Sequence, residues 1–365
     1  MLNILTEKPL KIITVGDIYV SNEIMEEALL KSKLNVGEII KLNWGADNTD
    51  DWAVHQLNIE RNGSEAEPYP PELDDLIVDA DVLLVQFCPI PKKLIDRAKN
   101  LKVILTCRGG IEHINVKAAS EKNIPVINVI RNAVPVAEFA IGLMLSVTRN
   151  IALMHNDIVN GTWPKVFANT DYMSTLSNLT IGLVGMGNIG IEIAIRLKAF
   201  GAKIIAFDKY IDKERIKKNG LDDYVIFKET AEEIFKEADI VSLHMRLVPE
   251  TEKMVDKKLL SLMKPTAYFI NTARGGLINQ DDLIDALKDN RIAGAALDVY
   301  DKEPIPADSL LLKLKNVTLT SHMAGTTVDA VAKCPLLLMK EVDKIIEKDM
   351  TDRIVNYKDI KETLV

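Results

Sequence analysis

With 365 residues the chain is long for one hydrophobic core and suits two domains. Hydrophobic residues make up 47% and charged residues 27%, ordinary proportions for a soluble globular protein. The 45 Lys and Arg against 53 Asp and Glu leave a net charge of −8, which argues against nucleic acid as a main partner. The start of the chain shows no basic stretch followed by an apolar run. Its most apolar segment, 134–147, is short and contains Glu138, so it does not read as a membrane span. Cys88, Cys107 and Cys334 are widely spaced within apolar runs and read as buried free thiols of a reducing compartment. A soluble, cytoplasmic protein is expected.

In chain order, short apolar runs alternate with helical patterns, as parallel α/β architecture requires. The early strands are predicted at 11–15, 38–42, 82–87, 102–107 and 125–129, with helices over 22–32, 91–99 and 116–122. No glycine fingerprint marks the first turn of this series. Residues 44–72 are acidic and rich in Pro, Gly and Asn, and read as a long surface excursion. A long helix is predicted from Val136 through Ile151, after which 160–177 breaks regular periodicity. A second α/β series runs from Thr180 to His322, its later strands predicted at 240–243, 267–271, 294–297 and 317–320. The pattern predicts two doubly wound parallel-sheet domains with an active-site cleft between them, at the carboxyl ends of the strands.

The turn Gly185-Met186-Gly187-Asn188-Ile189-Gly190 follows the strand-like run 180–184 and opens a helix-like stretch. A second apolar run, 203–207, then ends in Asp208. A bare GxGxxG is weak evidence, but strand, glycine turn, helix, strand and acid in this order fit a dinucleotide. Gly185 allows the tight turn, Gly187 lets backbone approach the pyrophosphate, and Gly190 lets helix and strand pack closely. The helix start, through Asn188 and Ile189, offers unpaired N–H groups to phosphate. Asp208 suits free ribose hydroxyls and repels a 2′-phosphate, so NAD is predicted over NADP, although Lys209 beside it softens that repulsion.

Three residues fall just beyond the ends of the late strands: Arg274, Glu303 and His322. Hydride transfer to a ketone leaves a developing alkoxide that must gain a proton, and His322 suits that role near neutral pH. Glu303 beside it would stabilise the imidazolium. Arg274 offers a planar fork for a carboxylate next to the carbonyl. Taken singly, each has a bland reading as a surface pair, a turn acid or a strand-end histidine. Their joint placement after successive strands of a dinucleotide sheet favours chemistry.

The stretch Leu262-Met263-Lys264-Pro265-Thr266-Ala267-Tyr268-Phe269-Ile270-Asn271-Thr272-Ala273-Arg274-Gly275-Gly276 and the run Ala295-Ala296-Leu297-Asp298-Val299-Tyr300 before Glu303-Pro304 are highly specific. Through them the chain, from about Asp81 to Thr327, closely resembles the D-isomer-specific 2-hydroxyacid dehydrogenases, the group that includes D-3-phosphoglycerate dehydrogenase. The resemblance is weak over the first part of the chain. It implies an NAD-dependent enzyme interconverting a D-2-hydroxy acid and its 2-keto acid. Arg274, Glu303 and His322 match the family's catalytic residues, and Asp298 the position that contacts the nicotinamide carboxamide. His244, Thr272, Ala273 and His322 fall among the expected cofactor contacts. The resemblance also implies a Rossmann NAD-binding domain over 131–325. Residues 1–130, with the C-terminal segment 326–365, would then form a flavodoxin-like substrate domain. Homodimers through the region around 136–178 are expected, and no metal.

Departures from the family pattern bear on the site. Arg246 stands in the loop after His244, where the family commonly has proline, either as a cofactor or substrate contact or as a salt bridge. Arg108-Gly109-Gly110 occupies the loop whose backbone N–H groups hold the substrate carboxylate in the family, and glycine there tolerates close backbone approach. Arg108 and Arg131, with Arg274, suggest a substrate more anionic than a simple keto acid. Glu303 argues against the related NAD-dependent formate dehydrogenases, which carry glutamine there, and with the sequence ending at Val365 feedback inhibition through an appended regulatory domain is not expected. Open substrates include phosphohydroxypyruvate, hydroxypyruvate, glyoxylate and sugar-acid keto compounds. The alternative is an NADH-sensing scaffold resembling the C-terminal binding protein corepressors.

Overall fold

The computed structural model describes residues 4–348 and 353–360. They form two compact units, Met1–Asn132 with Thr327–Val365, and Ala133–Thr326.

The first unit holds five parallel strands: β1 (Leu10–Gly16), β2 (Val36–Asn43), β3 (Val82–Val85), β4 (Val103–Thr106) and β5 (Val126–Asn128), in the order β2-β1-β3-β4-β5. Every residue of β3, β4 and β5 is buried, so these strands read as continuous rather than alternating apolar runs, as a sheet covered on both faces demands. Val15 pairs with Val85, Val85 with Thr106 and Thr106 with Asn128, so four strands end level at their carboxyl edge.

Residues 44–72 are not the surface excursion that their composition suggests, because helix Thr49–Asn62 lies within them. Asn48 caps it by accepting the Asp51 N–H, Asp50 and Asp51 occupy its first turn, and Arg61 sits in its last. Trp52 and Ile59, seven residues and two turns apart, bury against Phe87 and Tyr69. Near the other terminus, helix Cys334–Lys348 buries Leu338, Met339, Val342 and Ile345 with Leu10, Ile12 and Leu29. The Asn356 side chain adds a stitch, accepting from the Val126 N–H at 2.9 Å and donating to the Ile124 carbonyl at 2.9 Å.

The second unit holds seven parallel strands: β6 (Thr180–Val184), β7 (Lys203–Phe207), β8 (Val225–Phe227), β9 (Ile240–Leu243), β10 (Tyr268–Asn271), β11 (Gly294–Leu297) and β12 (Val317–Leu319), ordered β12-β11-β10-β9-β6-β7-β8. The fold class is thus the predicted one, two doubly wound parallel sheets. Strand order reverses at β6, with β7 and β8 on one side and β9 to β12 on the other. Register runs Phe207–Val184–Leu243–Asn271–Leu297–Leu319, which aligns six carboxyl ends along one edge. Strand β8 escapes the sequence pattern because only Val225 of its three residues is buried.

The helix expected from Val136 through Ile151 breaks in two. Helix Ala133–Thr148 ends before Asn150, whose φ of 56° is left-handed, and helix Ile151–Val159 leaves at 62°. The first buries Ala137, Ala140, Ile141, Met144 and Val147 against β6 and β10 residues. The second buries nothing and leaves Ile151, Met154, Ile158 and Val159 exposed. Among the described residues no single helix is long and apolar enough to cross a membrane, and the bent pair passes that test by length and composition alone.

Candidate active site

The functional residues of the second unit follow one another along its carboxyl edge, each set by the strand before it. After β6, Gly185 adopts φ +103°, and a Cβ there would lie 2.7 Å from the His244 carbonyl carbon, so only glycine makes this turn. A Cβ on Gly190 would collide with the Gly185 carbonyl oxygen, whereas Gly187 faces open space. Helix Asn188–Ala199 starts there, its Asn188 side chain accepting a 2.6 Å hydrogen bond from Arg215. After β7, Asp208 accepts from the Met186 N–H and the Tyr210 N–H, both at 2.7 Å, and so ties the end of β7 to the glycine turn.

After β9, both ring nitrogens of His244 are buried with no hydrogen-bond partner among the described residues, and burial pushes the imidazole down to about 3. Thr272, after β10, has a buried hydroxyl in the same condition. Buried polar atoms are normally satisfied, so orphaned atoms beside an open glycine turn fit an edge completed by a bound dinucleotide. Ala273 donates its N–H to the Asn271 side chain at 3.0 Å, and Arg274 Nη1 donates to the Ala273 carbonyl at 2.7 Å. Arg246 is exposed and makes no ion pair among the described residues.

Asp298, after β11, is fully buried. One carboxylate oxygen accepts from the Thr320 hydroxyl at 2.6 Å and the Met323 N–H at 3.0 Å; the other accepts from the Ala324 N–H at 2.9 Å. These bonds bracket His322, which sits after β12 at φ +57°, an uncommon conformation for a side-chain-bearing residue. His322 Nδ1 lies 2.7 Å from Glu303 Oε2, while Glu303 Oε1 accepts from the Tyr300 N–H at 2.9 Å. With Nδ1 held by a carboxylate, the ring's orientation is set and its proton exchange falls to Nε2. The structure thus joins His322 to Glu303 directly and places Arg274 after the next strand but one, β10. Sequence reasoning missed the clamp by Asp298, whose partners are 22 to 26 residues away.

In the first unit, Arg108, Gly109 and Gly110 follow β4 and Arg131 follows β5. The Asn128 side chain holds this loop by donating to the Gly109 carbonyl at 2.8 Å. Arg108 pairs with Glu60 at 3.2 Å and lies over the Phe87 ring, 4.2 Å from its centroid. Arg131 donates to the Ala330 carbonyl at 3.5 Å. A Cβ on Gly110 would meet only the Glu112 carboxylate, the end of a flexible side chain that can swing aside, so packing alone does not demand glycine there. Asp17 follows β1 at the same edge, and its signal in the sequence is an acid directly after an apolar run. His113 is buried beneath this loop, hydrogen-bonded to Thr106 at 2.9 Å, and burial holds its ring well below the usual histidine range.

Residues 141–324 match the family described as D-isomer specific 2-hydroxyacid dehydrogenase, NAD binding domain. The chain is 36% identical to a D-3-phosphoglycerate dehydrogenase of Methanocaldococcus jannaschii over 80% of its own length and 54% of that protein's. It therefore spans about half the length of that relative. It is 37% identical to a glyoxylate reductase of Thermofilum pendens, covering 81% of this chain and 88% of the reductase. Among solved structures, an NAD-complexed D-isomer specific 2-hydroxyacid dehydrogenase from Lactobacillus delbrueckii ssp. bulgaricus superimposes with a TM-score of 0.70 at 25% identity, covering 95% of this chain and all of that one. The glycine turn at 185–190 and the His322–Glu303 pair lie at the edge of the matched domain, and the chain belongs to the D-isomer-specific 2-hydroxyacid dehydrogenases, with NAD as its cofactor.

Proposed function

We propose that the chain interconverts a D-2-hydroxy acid and its 2-keto acid, with His322 as the acid–base group, Glu303 orienting and charging it, and Arg274 binding the substrate's carboxylate and carbonyl. The observation that carries this reading is the 2.7 Å contact between His322 Nδ1 and Glu303, held on a loop clamped by Asp298. Hydride exchange at carbon 2 is the chemistry NAD supplies when bound. In reduction, His322 Nε2 delivers a proton to the developing alkoxide; in oxidation it takes one from the hydroxyl. The Glu303 carboxylate stabilises the imidazolium in both directions. The guanidinium of Arg274 fits a carboxylate in two parallel hydrogen bonds and adds positive charge where negative charge grows on the carbonyl oxygen.

Gly185, Gly187, Asn188, Ile189 and Gly190 take the pyrophosphate through backbone N–H groups and the helix start, and Asp208 takes the adenosine ribose. His244, Arg246, Thr272, Ala273, Asp298 and His322 complete the cofactor's surroundings. The orphaned nitrogens of His244 and the Thr272 hydroxyl support this. The loop Arg108-Gly109-Gly110 and Arg131 serve the substrate, in the unit that acts as substrate domain. Candidate substrates are glyoxylate, hydroxypyruvate, phosphohydroxypyruvate and longer sugar-acid keto compounds. The exposed apolar face of helix Ile151–Val159 supports a homodimer.

The test is turnover by purified protein of NADH with a panel of 2-keto acids, alongside His322→Ala. Activity abolished in the variant while NADH still binds supports the reading. NADH binding without turnover of any keto acid favours the scaffold alternative.

A further inference from the structure

Five charged side chains gather at or beside the carboxyl edge of the five-stranded sheet: Asp17 after β1, Arg108 after β4, Glu112 against Gly110, Arg131 after β5, and Glu60 on helix Thr49–Asn62. Read from the sequence, the two arginines invite a second anion. The structure meets their charge from within. Arg108 and Glu60 are both largely buried, with side chains 14% and 12% exposed, and they form an ion pair of 3.2 Å. A pair this far from water is screened little by salt.

Asp17 uses one carboxylate oxygen to accept the N–H groups of Tyr19 and Val20, at 2.9 and 3.0 Å. The other oxygen is buried with no hydrogen-bond partner among the described residues, and the charges of Arg108 and Arg131 act on it. The Glu112 carboxylate lies over the glycine loop itself. The two guanidiniums share this edge with the carboxylates of Asp17 and Glu60, with that of Glu112 beside the loop, so the edge is not cationic.

We infer that Asp17 and Glu60 are specificity-determining residues that offset Arg108 and Arg131, so that the site takes 2-keto acids with an uncharged, hydroxyl-bearing tail and disfavours tails carrying phosphate or sulfonate. The inference rests on the dehydrogenase reading and narrows its substrate. A hydroxyl donates to a carboxylate and accepts from a guanidinium, so it suits an edge of mixed sign. A sulfonate only accepts, and it brings a charge of the same sign as three groups already there.

The test compares 3-hydroxypyruvate with 3-sulfopyruvate, which differ at one tail group. Calorimetric binding to the full chain with NAD+ is measured beside kcat/KM with NADH, for the natural chain, Asp17→Asn and Glu60→Gln. Both substitutions keep an acceptor oxygen and remove one charge. The natural chain binds hydroxypyruvate at least about tenfold more tightly, and each variant narrows that ratio several-fold to about tenfold, the direction that loss of one nearby negative charge dictates. The change falls in KM rather than kcat. Equal binding of both acids by the natural chain overturns the inference. So does a ratio unmoved in either variant that still binds NAD+. If neither acid is turned over but the binding ratio follows this course, the dehydrogenase reading fails and the charge balance stands.

Discussion

Replacing Glu303 by Gln isolates what its charge does for His322. The two side chains meet at 2.7 Å, with His322 33% and Glu303 16% exposed. At that separation and an effective dielectric of about 40, the attraction between imidazolium and carboxylate is about 3 kcal/mol. Solvent at the exposed side of the ring reduces it to about 1.5 kcal/mol. Gln keeps an acceptor for the Tyr300 N–H, so the loop is preserved while the charge is lost. Initial rates of keto-acid reduction, followed through NADH from about pH 5 to pH 9, should therefore fall off at lower pH in the variant. Above that point the variant should be about tenfold slower than the natural chain. A profile that coincides with the natural one, at a uniformly lower rate, would refute the electrostatic role and leave Glu303 as a spacer.

Gly185→Ala puts a Cβ 2.7 Å from the His244 carbonyl carbon at a φ of +103°; we expect NADH affinity to drop at least about tenfold and stability by about 1–3 kcal/mol, measured by fluorescence titration and urea unfolding. Asp17 gives a pH-dependent stability. Burial raises its carboxyl from 3.8 to about 6 in the folded chain, so folding there binds a proton more tightly than the unfolded chain does. Its penalty is absent below about pH 4, grows up to about pH 6, and is full above, at about 3 kcal/mol. Asp17→Asn should accordingly stabilise the chain at neutral pH and have no effect near pH 4; an equal gain at both would contradict the assignment. Ile158→Glu, on the exposed face of helix Ile151–Val159, should halve the mass seen by light scattering, whereas a natural chain already monomeric would exclude that face as the dimer contact.

What was legible in the sequence was local. The order of strand, glycine turn, helix and acid at 180–208 lies within one βαβ unit, and the strand-end positions of Arg274, Glu303 and His322 follow from apolar runs beside them. Features that depend on distant partners were not legible. Glu60 meets Arg108 across 48 residues, from a segment whose acidic composition hides the two buried positions, Trp52 and Ile59, that make it a helix. The break at Asn150 turns on a single left-handed residue between two segments that each favour helix. An arginine in a sequence reads as available charge, and only the fold shows which carboxylates answer it.

The central claim is that His322 moves the proton for a reaction at carbon 2. It is tested most directly by the loss of NADH absorbance with a panel of 2-keto acids, comparing the natural chain with His322→Ala. Turnover by the natural chain, lost in the variant while NADH binds both equally, is the predicted result. A His322→Ala protein as active as the natural chain would contradict it.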